Sequence, residues 1–187
     1  MNRTQLEHII RAASRISGDD EIVVIGSQSI HAQDMSLPPI AYISEEADVY
    51  PRHYPERADD IDIAIGELSS FHENFGYYAH GVSPKTAVLP AGWEQLLVRL
   101  STPNTGGAVG LCLDPHDLIL SKYAAGREKD LEFNRALAHY RCVAEDKALR
   151  LAETLPVDAE LKDIILRRIK ADFADPPSRT TPDASQP

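Results

Sequence analysis

Three short stretches carry side chains whose types and spacing could do chemistry together. Gly26 and Ser27 stand between an apolar run and a short helical segment. A turn of that kind leaves free backbone N–H groups at the helix start, and glycine lets a phosphate approach the chain closely. Glu46 and Asp48 are two residues apart. On a strand they project from one face, so both carboxylates can reach a single hard cation with oxygen ligands. Lys122 lies four residues after Leu118 and three before Ala125, on an apolar helical stripe, where its ammonium suits a cleft that holds phosphate. Arg127, Lys129 and Asp130 follow at once, and Asp130 can pair with Lys122 or Arg127 across the bend at Gly126.

Each stretch also has an ordinary reading. A glycine-serine turn can simply cap a helix, Glu46 and Asp48 can be an exposed acidic strand, and residues 127–130 can be a solvated helix start. Other chemistry-bearing residues read as structural. No two of His31, His53, His72, His80 and His116 have the i, i+4 spacing of a zinc-binding helix; His80, on an expected strand, is the one to watch. Asp60 and Asp62 open a helix and serve its dipole. Trp93 could stack a base or anchor the core, the latter being the commoner role. No Ser/His/Asp or Cys/His set has a hydrolase context.

The elements that must position these groups are legible from periodicity. A helix is expected over 5–16, with Leu6, Ile9, Ile10 and Ala13 at helical spacing, Thr4 as cap and Gly18 as stop. Residues 21–25 form a nearly continuous β-branched run, the pattern of a strand buried on both faces. A short helix over 28–33 follows, then the Pro38 and Pro39 break, a strand over 46–50 and a helix from Asp59 that carries Ile61, Ala64, Ile65, Leu68 and Phe71 on one face. Short strands are expected over 77–82, 86–89, 94–100 and 108–113, between Pro and Gly turns. Helices then take over: 115–125, 128–145, and a last one carrying Leu161, Ile164, Ile165 and Ile169. The fold class is α/β (α+β), a mixed sheet flanked by helices, divided into a core over 1–113, a helical part over 114–173 packed on it, and a Pro-rich disordered tail over 174–187.

The 187 residues carry a formal net charge of −10, which argues against a surface built for non-specific nucleic-acid binding. The basic residues are concentrated locally: 7 Lys/Arg against 15 Asp/Glu in residues 1–113, but 7 against 7 in residues 114–150. A polyanion could therefore be handled in the later segment. There is no apolar stretch near the roughly 18 residues of a membrane span and no signal-like N-terminus, so a soluble cytoplasmic protein without a membrane partner is expected. Cys112 and Cys142 read as buried, reduced thiols.

In this order, the glycine-serine turn followed by a Glu-x-Asp pair on the next strand resembles the nucleotidyltransferase superfamily typified by DNA polymerase beta. Lys122 with Ala125, and Arg127 with Lys129 and Asp130, resemble the Lys-x-x-Ala and Arg-x-Lys-Asp motifs of the AbiEii and MenT type of bacterial toxin nucleotidyltransferase. The stretches 71–78 and 89–93 resemble an uncharacterised bacterial branch of the superfamily. The resemblance covers roughly residues 20–135. It implies a nucleotidyltransferase fold in which Gly26 and Ser27 hold nucleotide phosphates and Glu46 with Asp48 bind Mg²⁺. It further implies that Lys122 faces the triphosphate with Arg127 and Lys129 nearby, while Asp130 is needed for activity or orients the lysine. Three departures stand out: eighteen residues separate Ser27 from Glu46, the first metal ligand is Glu instead of Asp, and residues 77–89 offer His80 where many members carry a third carboxylate. Glu94 is the candidate for that third carboxylate. The implied activity is transfer of a nucleotide from an NTP to a tRNA or protein acceptor, in a toxin-antitoxin or phage-defence setting with a cognate antitoxin or toxin. The alternatives are an antitoxin-like transferase that adds AMP to a protein, and a catalytically degenerate binding protein.

Overall fold

The computed structural model describes residues 1–174. The tail expected over 174–187 lies outside the described residues, apart from Ala174, which ends the last helix. The chain opens with α1 (Arg3–Ser17), whose N-terminus is closed by Asn2: its side chain accepts from the Gln5 backbone N–H, and Gln5 returns the bond. This capping box satisfies two of the donors that a helix start leaves free, so Asn2 is the cap and Thr4 lies within the first turn. Leu6, Ile9, Ile10 and Ala13 are fully buried, as their spacing requires.

β1 (Glu21–Val24) follows, and a 3-10 turn over Ser27–Ala32 starts directly after Gly26. A second 3-10 turn, Pro39–Tyr42, precedes β2 (Glu46–Pro51). Next come α2 (Ala58–Ile65), α3 (Ser70–Phe75), β3 (Tyr78–Gly81), β4 (Val98–Leu100) and β5 (Val109–Cys112). The five strands form one sheet in the order β3-β2-β1-β5-β4. β1 pairs antiparallel with β2 and parallel with β5, β2 pairs parallel with β3, and β4 pairs antiparallel with β5. The chain then becomes helical: α4 (Pro115–Ala125), α5 (Glu128–His139), α6 (Glu145–Ala152) and α7 (Ala159–Ala174).

The continuous apolar run of β1 is explained by its position at the centre of the sheet. Ile22 and Val24 belong to the core shared with α1 and α2, while Val23 and Ile25 belong to the core shared with α4 to α7. Period-2 alternation thus serves two helical layers at once. The same alternation sorts β2: Ala47 and Val49 join the α1 side, and Tyr50 joins the α4–α7 side. Glu46 and Asp48, in register with Tyr50, therefore face the side on which α4 to α7 pack.

Four expectations are corrected. The helix expected from Asp59 through Phe71 is two helices, because the chain turns at Gly66 and Ser69 caps α3 by accepting from the His72 backbone N–H at 3.2 Å; Leu68 falls in the turn, 82% exposed. The strand expected over 86–89 is irregular chain. The strand expected over 94–100 begins as a 3-10 turn, Trp93–Leu96, and only Val98–Leu100 joins the sheet. The long helix over 128–145 ends at His139: Arg141 takes a left-handed conformation (φ 58°), Cys142 and Val143 turn into the core, and the Ala144 N–H donates to His116 Nε2.

One buried acid lies outside any ion pair. Asp117, in the first turn of α4, has no exposed surface, and neither of its carboxylate oxygens has a hydrogen-bond partner among the described residues. Burial, assisted by the charge of Asp114, pushes its pKa from 3.8 up to about 6. The folded chain then holds a proton that the unfolded chain releases between those two values. Stability should fall as pH rises from about 4 to about 6 and stay reduced above, by an amount on the order of 2–3 kcal/mol. Asp117→Asn is expected to raise the unfolding free energy at pH 7 by roughly 2 kcal/mol and to flatten that slope. Urea titrations at pH 4, 5, 6 and 7 check this; an unchanged slope in the variant would refute it.

Candidate functional site

The end of β1, the start of β2, β3, and the α4–α5 junction border one cleft of about 680 Å³, within the size range of small-molecule sites. Gly26, Ser27, Glu46, Asp48, Lys122, Arg127 and Lys129 all line it. Asp130 has no exposed surface and lies beneath the basic side. Residues more than a hundred positions apart in sequence thus meet around one space.

The acidic wall is set by strand register. Val24 lies opposite Val49 in the β1–β2 pair, and the Ile25 N–H donates to the Asp48 carbonyl at 3.0 Å. This brings the Asp48 carboxylate against Gly26, where a Cβ would collide with the carboxylate oxygen. The requirement for glycine here is one of space. Asp48 also pairs in register with His80 of β3. The His80 Nδ1 lies 2.9 Å from Glu46 Oε1 and 3.2 Å from Asp48 Oδ1. Burial, reinforced by the adjacent Glu46 charge, raises the Asp48 pKa against the opposing effect of His80. For His80, burial works against protonation, but the charges of Asp48 and Glu46 outweigh it and the pKa is raised.

The basic wall is built on the two-residue link between α4 and α5. Gly126 closes α4 in the left-handed conformation (φ 67°), which glycine adopts without strain, and the chain turns directly into α5. Asp130, in the first turn of α5, accepts from Lys122 Nζ at 2.7 Å and from Arg127 Nε at 2.5 Å. Burial tends to raise the Asp130 pKa, but these two cations outweigh it and hold the group ionised, below its ordinary range. The Lys122 ammonium also stands 4.7 Å from the centre of the Phe133 ring. The Arg127 pKa is raised chiefly by Asp130, with Asp48 and Glu46 contributing across the cleft.

The remaining lining is largely apolar. Ile40 and Ile43 lie by the Pro39–Tyr42 turn, Ala87 and Val88 on the irregular segment before Leu89. The segment expected to be a strand over 86–89 is thus part of the cleft wall, together with Thr86. Periodicity gave no signal for this role, because an irregular segment has no period. Glu94 is exposed on the 3-10 turn and is not among the lining residues. Trp93 packs against the core. Four further histidines have structural partners: His31 the Ala41 carbonyl, His53 the Asp19 carboxylate, His72 the Leu68 N–H, and His116 the Asp114 carboxylate and Ala144 N–H. Asp62 accepts from the Gly81 N–H, and Asp60 pairs with Arg57. Both cysteines are free and buried. No helix among the described residues is long and apolar enough to cross a membrane.

Glu46, Asp48 and His80 offer one ligand atom each, all within 4.8 Å of one another. Two carboxylates with an adjacent imidazole are a donor set that fits a divalent cation. Opposite them stand cations held in place by a buried acid. The family described as nucleotidyltransferases of unknown function (DUF6036) matches residues 4–146. The chain belongs to this family. No curated protein and no solved structure matches it. Membership in a nucleotidyltransferase family accords with the glycine-serine turn and Glu-x-Asp pair, and the matched region spans the sheet, α4 and α5.

Removing Asp130 would leave Lys122, whose side chain is only 14% exposed, without its counter-charge. Asp130→Ala is expected to lower the unfolding free energy by about 3 kcal/mol, the range found when one partner of a buried pair is deleted. Arg127→Ala, at a side chain 63% exposed, should cost well under 1 kcal/mol. Denaturant unfolding of both variants tests the contrast, which equal losses would contradict.

Proposed function

We propose that this protein transfers a nucleotide from an NTP to an acceptor, with a tRNA end as the acceptor. The observation that carries the reading is the meeting of an acidic wall, Glu46 and Asp48, and a basic wall, Lys122, Arg127 and Lys129, across one cleft beside Gly26 and Ser27. A triphosphate needs both: carboxylates to hold its divalent counter-ion, and fixed cations to take up the charge that develops on the leaving pyrophosphate. The acceptor hydroxyl attacks the α-phosphorus and gives its proton to solvent, and the bond from that phosphorus to the pyrophosphate oxygen breaks, releasing pyrophosphate.

Glu46 and Asp48 would hold the divalent cation through carboxylate oxygens, which suit Mg²⁺ and Mn²⁺ alike. When bound, it supplies charge neutralisation and orientation of the attacking and leaving oxygens. Gly26 leaves the backbone bare beside Asp48, so that phosphate can approach the chain. Lys122 and Arg127 bind phosphate oxygens, and Asp130 acts through them as a positioning residue. Because these cations are already directed by a buried partner, little reorganisation is needed when substrate arrives. The apolar lining, Ile43 and Val88 among it, suits the base and ribose.

The tRNA acceptor and a toxin-antitoxin or phage-defence setting, with a cognate partner protein, are supported by the likeness of Lys122, Ala125, Arg127, Lys129 and Asp130 to the toxin motifs. The acidic surface, with a net charge of −10, favours protein as acceptor in a second reading, in which AMP is added to a partner.

Purified protein incubated with each α-labelled NTP, Mg²⁺, tRNA and host lysate tests these readings. Label should enter RNA, be abolished by Asp48→Ala, and fall roughly 100-fold in rate with Lys122→Ala, the scale for loss of one charge-stabilising group. Label confined to protein would replace the tRNA reading with the second one. NTP binding without transfer to any acceptor would refute the enzyme.

A further inference from the structure

The neighbour of Glu46 and Asp48 on the adjacent strand is an imidazole, His80 of β3. We propose that His80 is a third ligand of the metal site, and that the set of two carboxylates and one imidazole selects Mn²⁺ over Mg²⁺. The proposal rests on the reading that Glu46 and Asp48 hold the divalent cation.

Three observations carry it. β3 runs parallel to β2 with Glu46 opposite Tyr78 and Asp48 opposite His80, so strand alternation puts Glu46, Asp48 and His80 on one face while Ala47 and Ala79 are buried on the other. All three face the cleft. Nδ1 of His80 lies 2.9 Å from Glu46 Oε1 and 3.2 Å from Asp48 Oδ1. Neighbouring donors around an octahedral ion with bonds of about 2.1 Å are about 3.0 Å apart, so the imidazole is spaced as an adjacent ligand to both acids.

The chemistry of the third donor then decides between ions. Mg²⁺ is a hard cation that takes carboxylate and water oxygens, holds its water tightly and gains little from imidazole nitrogen. First-row transition ions accept imidazole readily, and Mn²⁺ shares with Mg²⁺ the taste for carboxylate oxygen and octahedral geometry. A site of two carboxylates and one imidazole therefore holds both ions and holds Mn²⁺ more tightly. His80 also accounts for the missing third acid: the position supplies a nitrogen donor, and the wall carries one negative charge fewer.

The test is MnCl₂ and MgCl₂ titration of the full-length protein, with and without a non-hydrolysable ATP analogue, followed by electron spin-echo spectroscopy of the bound Mn²⁺. The wild type should bind Mn²⁺ about tenfold or more tighter than Mg²⁺, and its spectrum should show nitrogen coupling from a directly bound imidazole. His80→Ala should lose that coupling and most of the preference, and His80→Asp should lose the coupling while keeping Mg²⁺ binding. Circular dichroism confirms that the variants are folded. Mn²⁺ binding without nitrogen coupling, the same coupling in His80→Ala, or equal affinity for the two ions would overturn the proposal. If Asp48→Ala also leaves Mn²⁺ binding intact, or if neither ion binds, the metal-site reading falls as well; if only the nitrogen signal is missing, nucleotide transfer stands without it.

Discussion

The antiparallel register of β1 and β2, with Val24 opposite Val49, brings the Asp48 carboxylate directly against the Cα of Gly26. The cleft is built outward from that contact. A one-residue slip would turn Glu46 and Asp48 toward the α1 core, where Ala47 and Val49 are fully buried, and would place two carboxylates among apolar side chains. The register is therefore enforced by burial on the opposite face from the site itself. It also fixes the position of β3, since His80 pairs with Asp48.

Charge is organised by the same logic of placing a group where its partner is obligatory. Asp130 is fully buried, and its two oxygens are taken up by Lys122 and Arg127. An ionised carboxylate cut off from water is costly unless it is paired, so Asp130 holds the two cations at the edge of the cleft rather than letting them range over the surface. The net charge of −10 spread over the chain is no obstacle to this local arrangement. The cations act at a few ångströms in a recess, whereas the surface acids are screened by solvent and salt.

Much of this was legible in the sequence because it depended on spacing along one element. The i, i+2 relation of Glu46 and Asp48 needed only that 46–50 be a strand, and the buried run 21–25 announced a central strand. Lys122 on an apolar stripe pointed to a recessed ammonium, and the pairing of Asp130 with Lys122 or Arg127 followed from the bend at Gly126. What was not legible depended on separate elements or on irregular chain. The Asp48–His80 pairing comes from β2 and β3, which are not adjacent in sequence. The break at Gly66 and the left-handed Arg141 were hidden under apolar residues, Leu68, Phe71 and Ala144, that continued a helical period into chain that is not helical. The 86–89 segment reads as a strand by composition, yet it lines the cleft without joining the sheet.

That last segment bears on how such a site could change over generations. The acidic wall is placed by sheet register, and the basic wall is held by the buried Asp130. Thr86, Ala87 and Val88 are bound by neither constraint: they lie in irregular chain from the end of the Ser83–Thr86 turn, Thr86 and Val88 exposed and Ala87 half-buried against the core, before the buried Leu89 and Pro90. Substitutions at the exposed Thr86 and Val88 would alter the cleft wall at small cost to the scaffold. The cleft can thus change shape along one irregular segment while its acidic and basic walls stay in place.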